Sequence, residues 1–260
     1  MPKTDTVKLI TLNCWGGRAA DKLLPFFAEK GKEIDIFCLQ EMFDADQAAL
    51  DARHPGENQR GDLFRRVREA LPDHFGCFAY FDDNPDRMSL AMFIRHGVRV
   101  RAIADFIVHR PEQPLDTGSA VRSSRKLQYA TIALNGRDVT IGNYHGLWVN
   151  GPKTDTSERL VQGERVRAWL DGITGPKVLC GDFNLLPENA SLRTIDVGLR
   201  NLVIETGLKS TRTPLYRHYD NPAEPNFADY AIVSPDVDVK KFSVLPDAVS
   251  DHAALYLEFA

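Results

Sequence analysis

Five short polar clusters, each next to an apolar run, contain the residue types from which a hydrolytic site can be built. They are Asn13, Gln40-Glu41, His145, Asp182-Phe183-Asn184 and Ser250-Asp251-His252. Glu and His are not typical turn residues, and carboxylates, amides and imidazoles can bind a metal ion or transfer a proton. We therefore predict that strands bring these groups to one edge of a sheet.

The sequence between the clusters has the periodicities of strands and helices. Strands are predicted at 7–12, 34–39, 75–81, 88–95, 98–108, 127–134, 139–143, 177–180, 227–233, 239–245 and 253–259. Helices are predicted at 19–30, 62–71 and 154–170. The last helix has an apolar face formed by Leu160, Val161, Val166, Trp169 and Leu170. Two β-rich halves with helices between their strands predict an α/β fold, a four-layer α/β sandwich with two packed sheets and helices outside.

Composition indicates one globular domain over residues 1–260. Hydrophobic residues make up 43% and charged residues 26% of the chain, which allows a sizeable core. The net charge of −4 gives no global attraction for a polyanion such as duplex DNA. No apolar run approaches the roughly 18 residues that span a bilayer, and the first residues lack the pattern of a signal peptide, so we expect a cytoplasmic protein. The four scattered cysteines are expected to be reduced.

Carboxylate and amide groups within the clusters are suited to water activation and metal binding. Asp182 and Asn184 are two residues apart, so on an extended segment they share a pocket while Phe183 faces the core. A carboxylate that accepts a proton and an amide that donates a hydrogen bond can orient a water molecule. Glu41 and Asn13 offer the oxygen ligands that Mg²⁺ or Mn²⁺ prefers. An Asx turn at Asp182 and a helix-initiating role for Glu41 are the structural alternatives.

The adjacent Asp251 and His252 point to opposite faces if they lie on a strand, so they do not pair with each other. Asp251 can then bind a metal while His252 faces the substrate. Another acid must orient His252, and Asp229, at the start of the preceding strand, is the best candidate. His145 is a second possible acid or phosphate contact. A loop histidine can also be simply solvated.

Four ordered motifs resemble those of the endonuclease/exonuclease/phosphatase superfamily, the metal-dependent phosphohydrolases related to DNase I. They are Thr11-Leu12-Asn13, Leu39-Gln40-Glu41, Gly181-Asp182-Phe183-Asn184 and Ser250-Asp251-His252. The resemblance implies the same four-layer fold and a Mg²⁺ or Mn²⁺ cofactor. The roles it implies are metal binding or support by Asn13, Glu41 and Asp251, water positioning by Asp182 and Asn184, phosphate contact by His252, orientation of His252 by Asp229, and leaving-group or phosphate stabilisation by His145.

The resemblance implies hydrolysis of a phosphoester, expected to be a phosphodiester, by in-line attack of water. It leaves the substrate open among nucleic acid, a phospholipid headgroup and a small phosphoester. A DNA-repair nuclease acting on DNA ends or abasic sites and a sphingomyelinase-like enzyme are alternatives, the latter because of the segment Leu12-Asn13-Cys14-Trp15-Gly16. A non-catalytic binding module on the same fold is the alternative of another class. No obligate protein partner is evident.

A loop rich in cations and aromatic rings, 211–219, is the predicted recognition element, because such side chains suit phosphates and bases. Its Arg212 and Arg217 are the predicted substrate contacts. An ordinary surface loop is the alternative. A second basic cluster, Arg122, Arg125 and Lys126, is more typical of solvated side chains.

Overall fold

The structure, a computed structural model, describes residues 6–81, 87–110, 124–149, 153–221 and 226–260. Arg122 lies outside the described residues. In the described part of the chain, twelve strands form two six-stranded sheets. In spatial order, the first sheet consists of β11 (Val239–Val244), β12 (Leu255–Phe259), β1 (Val7–Asn13), β2 (Ile36–Met42), β4 (Ser89–Arg95) and β3 (His74–Phe78). The second consists of β5 (Val100–His109), β6 (Arg125–Leu134), β7 (Arg137–His145), β8 (Lys177–Asp182), β10 (Asp229–Val233) and β9 (Arg200–Asn201).

Helices cover the outer faces of both sheets. Their bounds are α1 (Ala20–Lys30), α2 (Gln47–Arg53), α3 (Leu63–Ala70), α4 (Ser157–Gly172), α5 (Ala190–Ile195) and α6 (Leu202–Glu205), and a 3₁₀ turn spans Trp15–Gly17. One core cluster lies between the sheets, one between the first sheet and α1 and α3, and one between the second sheet and α4 and α5. The predicted four-layer α/β sandwich is confirmed.

Strand alternation explains how one sequence serves two cores at once. In β2, Ile36 and Cys38 belong to the core between the sheets, whereas Phe37 and Leu39 belong to the core under the helices. In β8, Val178 and Cys180 likewise face the other sheet. A strand that is apolar on both faces is the expected pattern for a buried sheet.

Most predicted elements are present, with three differences. The short elements α2, α5, α6 and β9 were not predicted. The second strand continues to Met42 instead of ending at Leu39. The predicted apolar face of α4 is wrong in part, because Leu160 and Val161 are 38% and 45% exposed while Arg159 and Gln162 are buried.

The four cysteines are free, as expected, and three of them are buried. None of the described helices is long and apolar enough to cross a bilayer. The cytoplasmic location stays a prediction.

Candidate active site

The inner faces of the two sheets change from apolar to polar at one end. In β1 the inward series is Leu9, Thr11, Asn13, and in β8 it is Val178, Cys180, Asp182. The parallel pairs β1–β2 and β7–β8 bring strand ends together, so that His145 lies opposite Asp182. The antiparallel neighbour β10 begins there, with Asp229 also opposite Asp182. Five predicted site residues from both halves of the chain therefore meet at one edge; these are Asn13, Glu41, His145, Asp182 and Asp229.

Asp182 joins the two sheets and lies at the centre of this edge. Its Oδ2 accepts a 2.8 Å hydrogen bond from Asn13 Nδ2 of the other sheet, and its Oδ1 accepts one of 2.9 Å from the backbone N–H of Asn184. The Nε2 atoms of His145 and His252 each lie 3.7 Å from Asp182 Oδ2. Burial alone would raise the pKa of Asp182, but neighbouring positive charges, led by His252, lower it below its usual range. The carboxylate is therefore held in its charged form.

Glu41 reaches the site through a break in the strand. Gln40 occupies the inward position of β2, so regular alternation would direct Glu41 toward the helices. Instead, Glu41 has a φ of 53° and the pairing of β2 with β4 shifts between Leu39 and Met42. Such a bulge re-aims a side chain. Burial, followed by the charge of Asp251, raises the pKa of Glu41, which places these two carboxylates near each other.

The two histidines have opposite electrostatic surroundings. His252 Nδ1 lies 2.9 Å from both oxygens of Asp229, the acid expected to orient it. Burial and the charge of Arg212 oppose protonation of His252, but Asp229, Asp182 and Asp251 outweigh them and raise its pKa. The pKa of His145 falls to about 3 through burial, with the charge of Arg125 as the next cause. His252 thus takes up a proton more readily than an ordinary imidazole, whereas His145 is neutral near neutral pH.

Asn184 differs from its expected geometry. β8 ends at Asp182, and Asn184 has a φ of 55°, so the extended arrangement predicted for Asp182-Phe183-Asn184 is wrong beyond Asp182. The bond from Asn184 N–H to Asp182 Oδ1 is the local geometry of an Asx turn, the structural alternative. The amide of Asn184 also donates to Gly146 O at 3.3 Å. Asn184 thus stays at the site and fixes Asp182 through its backbone.

The recognition loop separates its two predicted arginines. Arg212 is buried, with Nη1 3.4 Å from Asp251 Oδ2 and its guanidinium carbon 4.5 Å from the ring centre of Tyr216. A backbone bridge pairs Arg212 with His252. Arg217 is exposed and has no hydrogen bond or ion pair within the described ranges. The structure brings Arg212 to the site and leaves Arg217 on the surface.

The model of the Endonuclease/Exonuclease/phosphatase family matches residues 10–252. The chain belongs to this family. As a member of the endonuclease/exonuclease/phosphatase family, it is a phosphoric ester hydrolase. The search of curated protein sequences found no match.

Solved structures with the same fold cover nearly the whole chain at low sequence identity. A mannosyl-6-phosphatase from Bacteroides thetaiotaomicron is 20% identical, with a TM-score of 0.71 over 98% of this chain and 99% of the other. TDP2 from D. rerio, complexed with single-strand DNA product, is 14% identical, with a TM-score of 0.67 over 98% and 99%. A functionally unknown protein from Enterococcus faecalis is 17% identical, with a TM-score of 0.72 over 98% and 99%. At these identities the likeness shows the fold alone.

Two cations lie near these site residues but were not predicted to belong to the site. Arg125, expected to be solvated, is only 5% exposed; its Nε donates to Gly146 O at 2.9 Å and its charge acts on Glu41 and Asp182. Lys153 donates to Phe227 O at 2.7 Å and also acts on Asp182. The sequence did mark Arg125 as part of a basic cluster before the strand at 127–134, but it held no signal for Lys153.

The donor set at this edge fits a hard divalent cation. Burial and, after it, the charge of Asp251 raise the pKa of Glu41, and a bound cation would stabilise the charged form of this carboxylate. Ligand atoms of Glu41, His145 and Asp182 also lie within 4.8 Å of one another. Oxygen-rich sites of this kind suit Mg²⁺ or Mn²⁺. Asn13 supports the set by bonding Asp182.

Proposed function

We propose that this chain hydrolyses a phosphoester, expected to be a phosphodiester, by in-line attack of water with the help of Mg²⁺ or Mn²⁺. The observation that supports the proposal is the position of Asp182, a charged and buried carboxylate between two imidazoles of opposite protonation preference. Hydrolysis requires a proton acceptor for water and positive charge for the phosphoryl oxygens. Asp182 and His252 offer these two functions side by side.

Asn13, Glu41 and Asp251 are the residues proposed to hold or support the metal. When bound, a divalent cation neutralises charge that develops on the phosphoryl oxygens. Asn13 Nδ2 donates a hydrogen bond to one oxygen of Asp182. This bond fixes the position of the proposed metal-supporting residue relative to the carboxylate that is proposed to orient water. Glu41 depends on the bulge in β2 for its inward direction.

The remaining groups orient water and stabilise charge. Asp182, with Asn184 fixing its second oxygen, accepts the proton of the attacking water. His252, whose Nδ1–H donates to Asp229, presents Nε2 to the phosphoryl oxygens. The 3.7 Å separation between His252 Nε2 and Asp182 Oδ2 is longer than a hydrogen bond, so both atoms remain available to substrate and water. His145, neutral near pH 7, can donate a hydrogen bond toward the leaving group or the phosphate.

The direct test is hydrolysis of bis-p-nitrophenyl phosphate by the purified protein with Mg²⁺, with Mn²⁺ and with EDTA. We expect metal-dependent release of p-nitrophenol, suppressed by EDTA, and a loss of about 10²–10⁴ in rate for His252→Ala. A matched control is His96→Ala, which changes an exposed histidine outside the site. A non-catalytic binding module would show no metal-dependent turnover on any phosphoester.

A substrate panel separates the remaining alternatives. It should contain plasmid DNA, an abasic oligonucleotide, sphingomyelin and sugar or inositol phosphates. The net charge of −4 gives little general attraction for DNA, which favours a small phosphoester over a long duplex. Cleavage of the DNA substrates alone would support the repair-nuclease alternative, and cleavage of sphingomyelin alone would support the sphingomyelinase-like one.

A further inference from the structure

Arg212 is a buried cation with few partners. Its side chain is 6% exposed, and a guanidinium has five N–H donors. The ion pair of Nη1 with Asp251 Oδ2 is long, at 3.4 Å. Within the part of the chain that the structure describes, Nε is buried without any hydrogen-bond partner. Burying a charged donor without a partner is costly, so this arrangement calls for an explanation.

Lys153 is a second cation with few partners, and it is half-buried. Its Nζ donates to Phe227 O at 2.7 Å, but no carboxylate of the described residues lies within ion-pair distance of it. Burial lowers its pKa to about 8, and the charge of Arg212 is the next cause. The two cations therefore lie close enough to repel each other. Both also lower the pKa of Asp182, which places both at the edge that bears the reactive groups.

Neutralising the carboxylates of the site explains these cations only in part, because Arg212 has one long contact with Asp251 and Lys153 forms no ion pair with a carboxylate of the described residues. Asp182 already accepts hydrogen bonds from Asn13 and Asn184, and Asp229 is satisfied by His252. Two under-partnered cations side by side instead form an arrangement that a multiply charged anion would stabilise. Phosphate groups are bound in proteins by such pairs of Arg and Lys.

We infer that Lys153 and Arg212 together bind a terminal phosphate group of the substrate. The inference rests on the proposed function, because it places this group beside Asp182 and His252. A terminal phosphomonoester has a charge of about −1.5 to −2 at pH 7, whereas each phosphodiester has about one. The two positive charges of Lys153 and Arg212 match the charge of the terminal phosphomonoester. The terminal phosphate is either the group that is hydrolysed or a neighbour of a hydrolysed diester.

The test compares kcat/KM for the dinucleotides TpT and pTpT, which differ by one terminal phosphate, and for p-nitrophenyl phosphate against bis-p-nitrophenyl phosphate. We expect the wild type to prefer the member with the terminal phosphate by about tenfold or more in at least one pair. A preference for pTpT over TpT would indicate that Lys153 and Arg212 bind a phosphate next to the hydrolysed diester. A preference for p-nitrophenyl phosphate would indicate that they bind the phosphate that is hydrolysed. Lys153→Gln should lower the preference about tenfold. The control Lys209→Gln changes an exposed lysine two residues before the recognition loop and should retain the preference.

Binding of inorganic phosphate distinguishes failure of this inference from failure of the proposed function. Calorimetric titration in EDTA should show weaker binding by about tenfold for folded Lys153→Gln than for the wild type and Lys209→Gln. This holds even if no phosphoester is hydrolysed. Hydrolysis with equal kcat/KM in both pairs, or equal phosphate affinity in the wild type and Lys153→Gln, would overturn the inference. Arg212→Lys, which keeps the charge but loses the fork of donors, should show an intermediate affinity.

Discussion

Asp182→Asn tests the site directly, because it removes one charge with almost no change in volume. Asp182 accepts from Asn13 Nδ2 at 2.8 Å with one oxygen and from Asn184 N–H at 2.9 Å with the other. An asparagine must turn its own NH₂ toward one of these donors and so lose that bond. An unsatisfied buried donor costs about 1–3 kcal/mol, which lowers the thermal midpoint by about 2–10 °C in a protein of this size.

The expected loss of activity is much larger than the loss of stability. Without the carboxylate, the site has lost its proposed proton acceptor, and we expect kcat to fall about 10²–10⁴-fold. The assay is hydrolysis of bis-p-nitrophenyl phosphate at saturating Mg²⁺, at a temperature well below the midpoint of the variant. Near-normal kcat in purified, folded Asp182→Asn protein would refute the mechanism.

A double substitution separates the two effects. Combining Asn13→Asp with Asp182→Asn exchanges donor and acceptor across the same 2.8 Å contact, so the amide at 182 donates to the carboxylate at 13. Its remaining oxygen can still accept from Asn184, and the backbone N–H of Trp15, which now bonds Asn13 Oδ1, keeps its acceptor. We expect the double variant to regain only part of the lost stability, because Asn13 also bonds Glu41, and none of the activity. Recovery of turnover would show that the position of the charge is unimportant.

Three further predictions concern stability, measured by denaturant unfolding. Burial lowers the pKa of His74, so the unfolded chain binds this proton at a higher pH than the folded protein, and the free energy of unfolding of the wild type falls as the pH drops below about 6.5. His74→Gln should reduce this pH dependence, and His96→Gln should not change it. The same pH dependence in the wild type and His74→Gln would contradict the reasoning. Gly181→Ala places a Cβ 2.0 Å from a backbone oxygen of β7 at a φ of 139° and should cost about 3 kcal/mol or more; a neutral effect would be inconsistent with this packing. Gln162→Leu improves the apolar pattern of α4 but removes the acceptor of Leu147 N–H, so we expect a loss of about 1–3 kcal/mol and not a gain.

Sequence periodicity predicted the long elements, because each has enough residues to show which face is apolar. It failed for α2, α5 and α6, which have seven residues or fewer and little room for a repeating pattern. For α4 it predicted the helix but not the whole of its buried face, because Arg159 and Gln162 point inward and bond the backbone of Leu147. Those partners belong to a segment after β7, so the requirement for a polar inner face is invisible within the helix itself.

The site was predictable in part. The expectation that strand alternation separates Asp251 from His252 does not hold, because β12 begins only at Leu255 and Asp251 Oδ1 lies 4.0 Å from His252 Nε2. The search for another acid nevertheless pointed to Asp229, and the structure has the Asp229–His252 contact. The catalytic role of that contact stays a prediction. Arg125 was noticed but expected to be solvated, and Lys153 was not noticed, because their place at the site depends on packing between distant parts of the chain. The bulge at Glu41 likewise depends on the pairing of β2 with β4.

A buried polar layer explains how charged groups can lie at the end of an apolar core. Gln40 Nε2 donates to Asn143 Oδ1 at 2.7 Å and to Thr11 Oγ1 at 3.1 Å, and Asn143 Nδ2 donates back to Leu39 O at 3.1 Å. These bonds join the two sheets between the apolar core and the charged edge. Hydrogen bonds between buried amides favour one arrangement of the two sheets, although Gln40 Oε1 is buried without a hydrogen-bond partner among the described residues. Because Gln40 holds the inward position, Glu41 can reach the site only through the bulge. The same contact that fixes the distance between the sheets therefore also requires the backbone distortion that directs Glu41 toward the proposed metal.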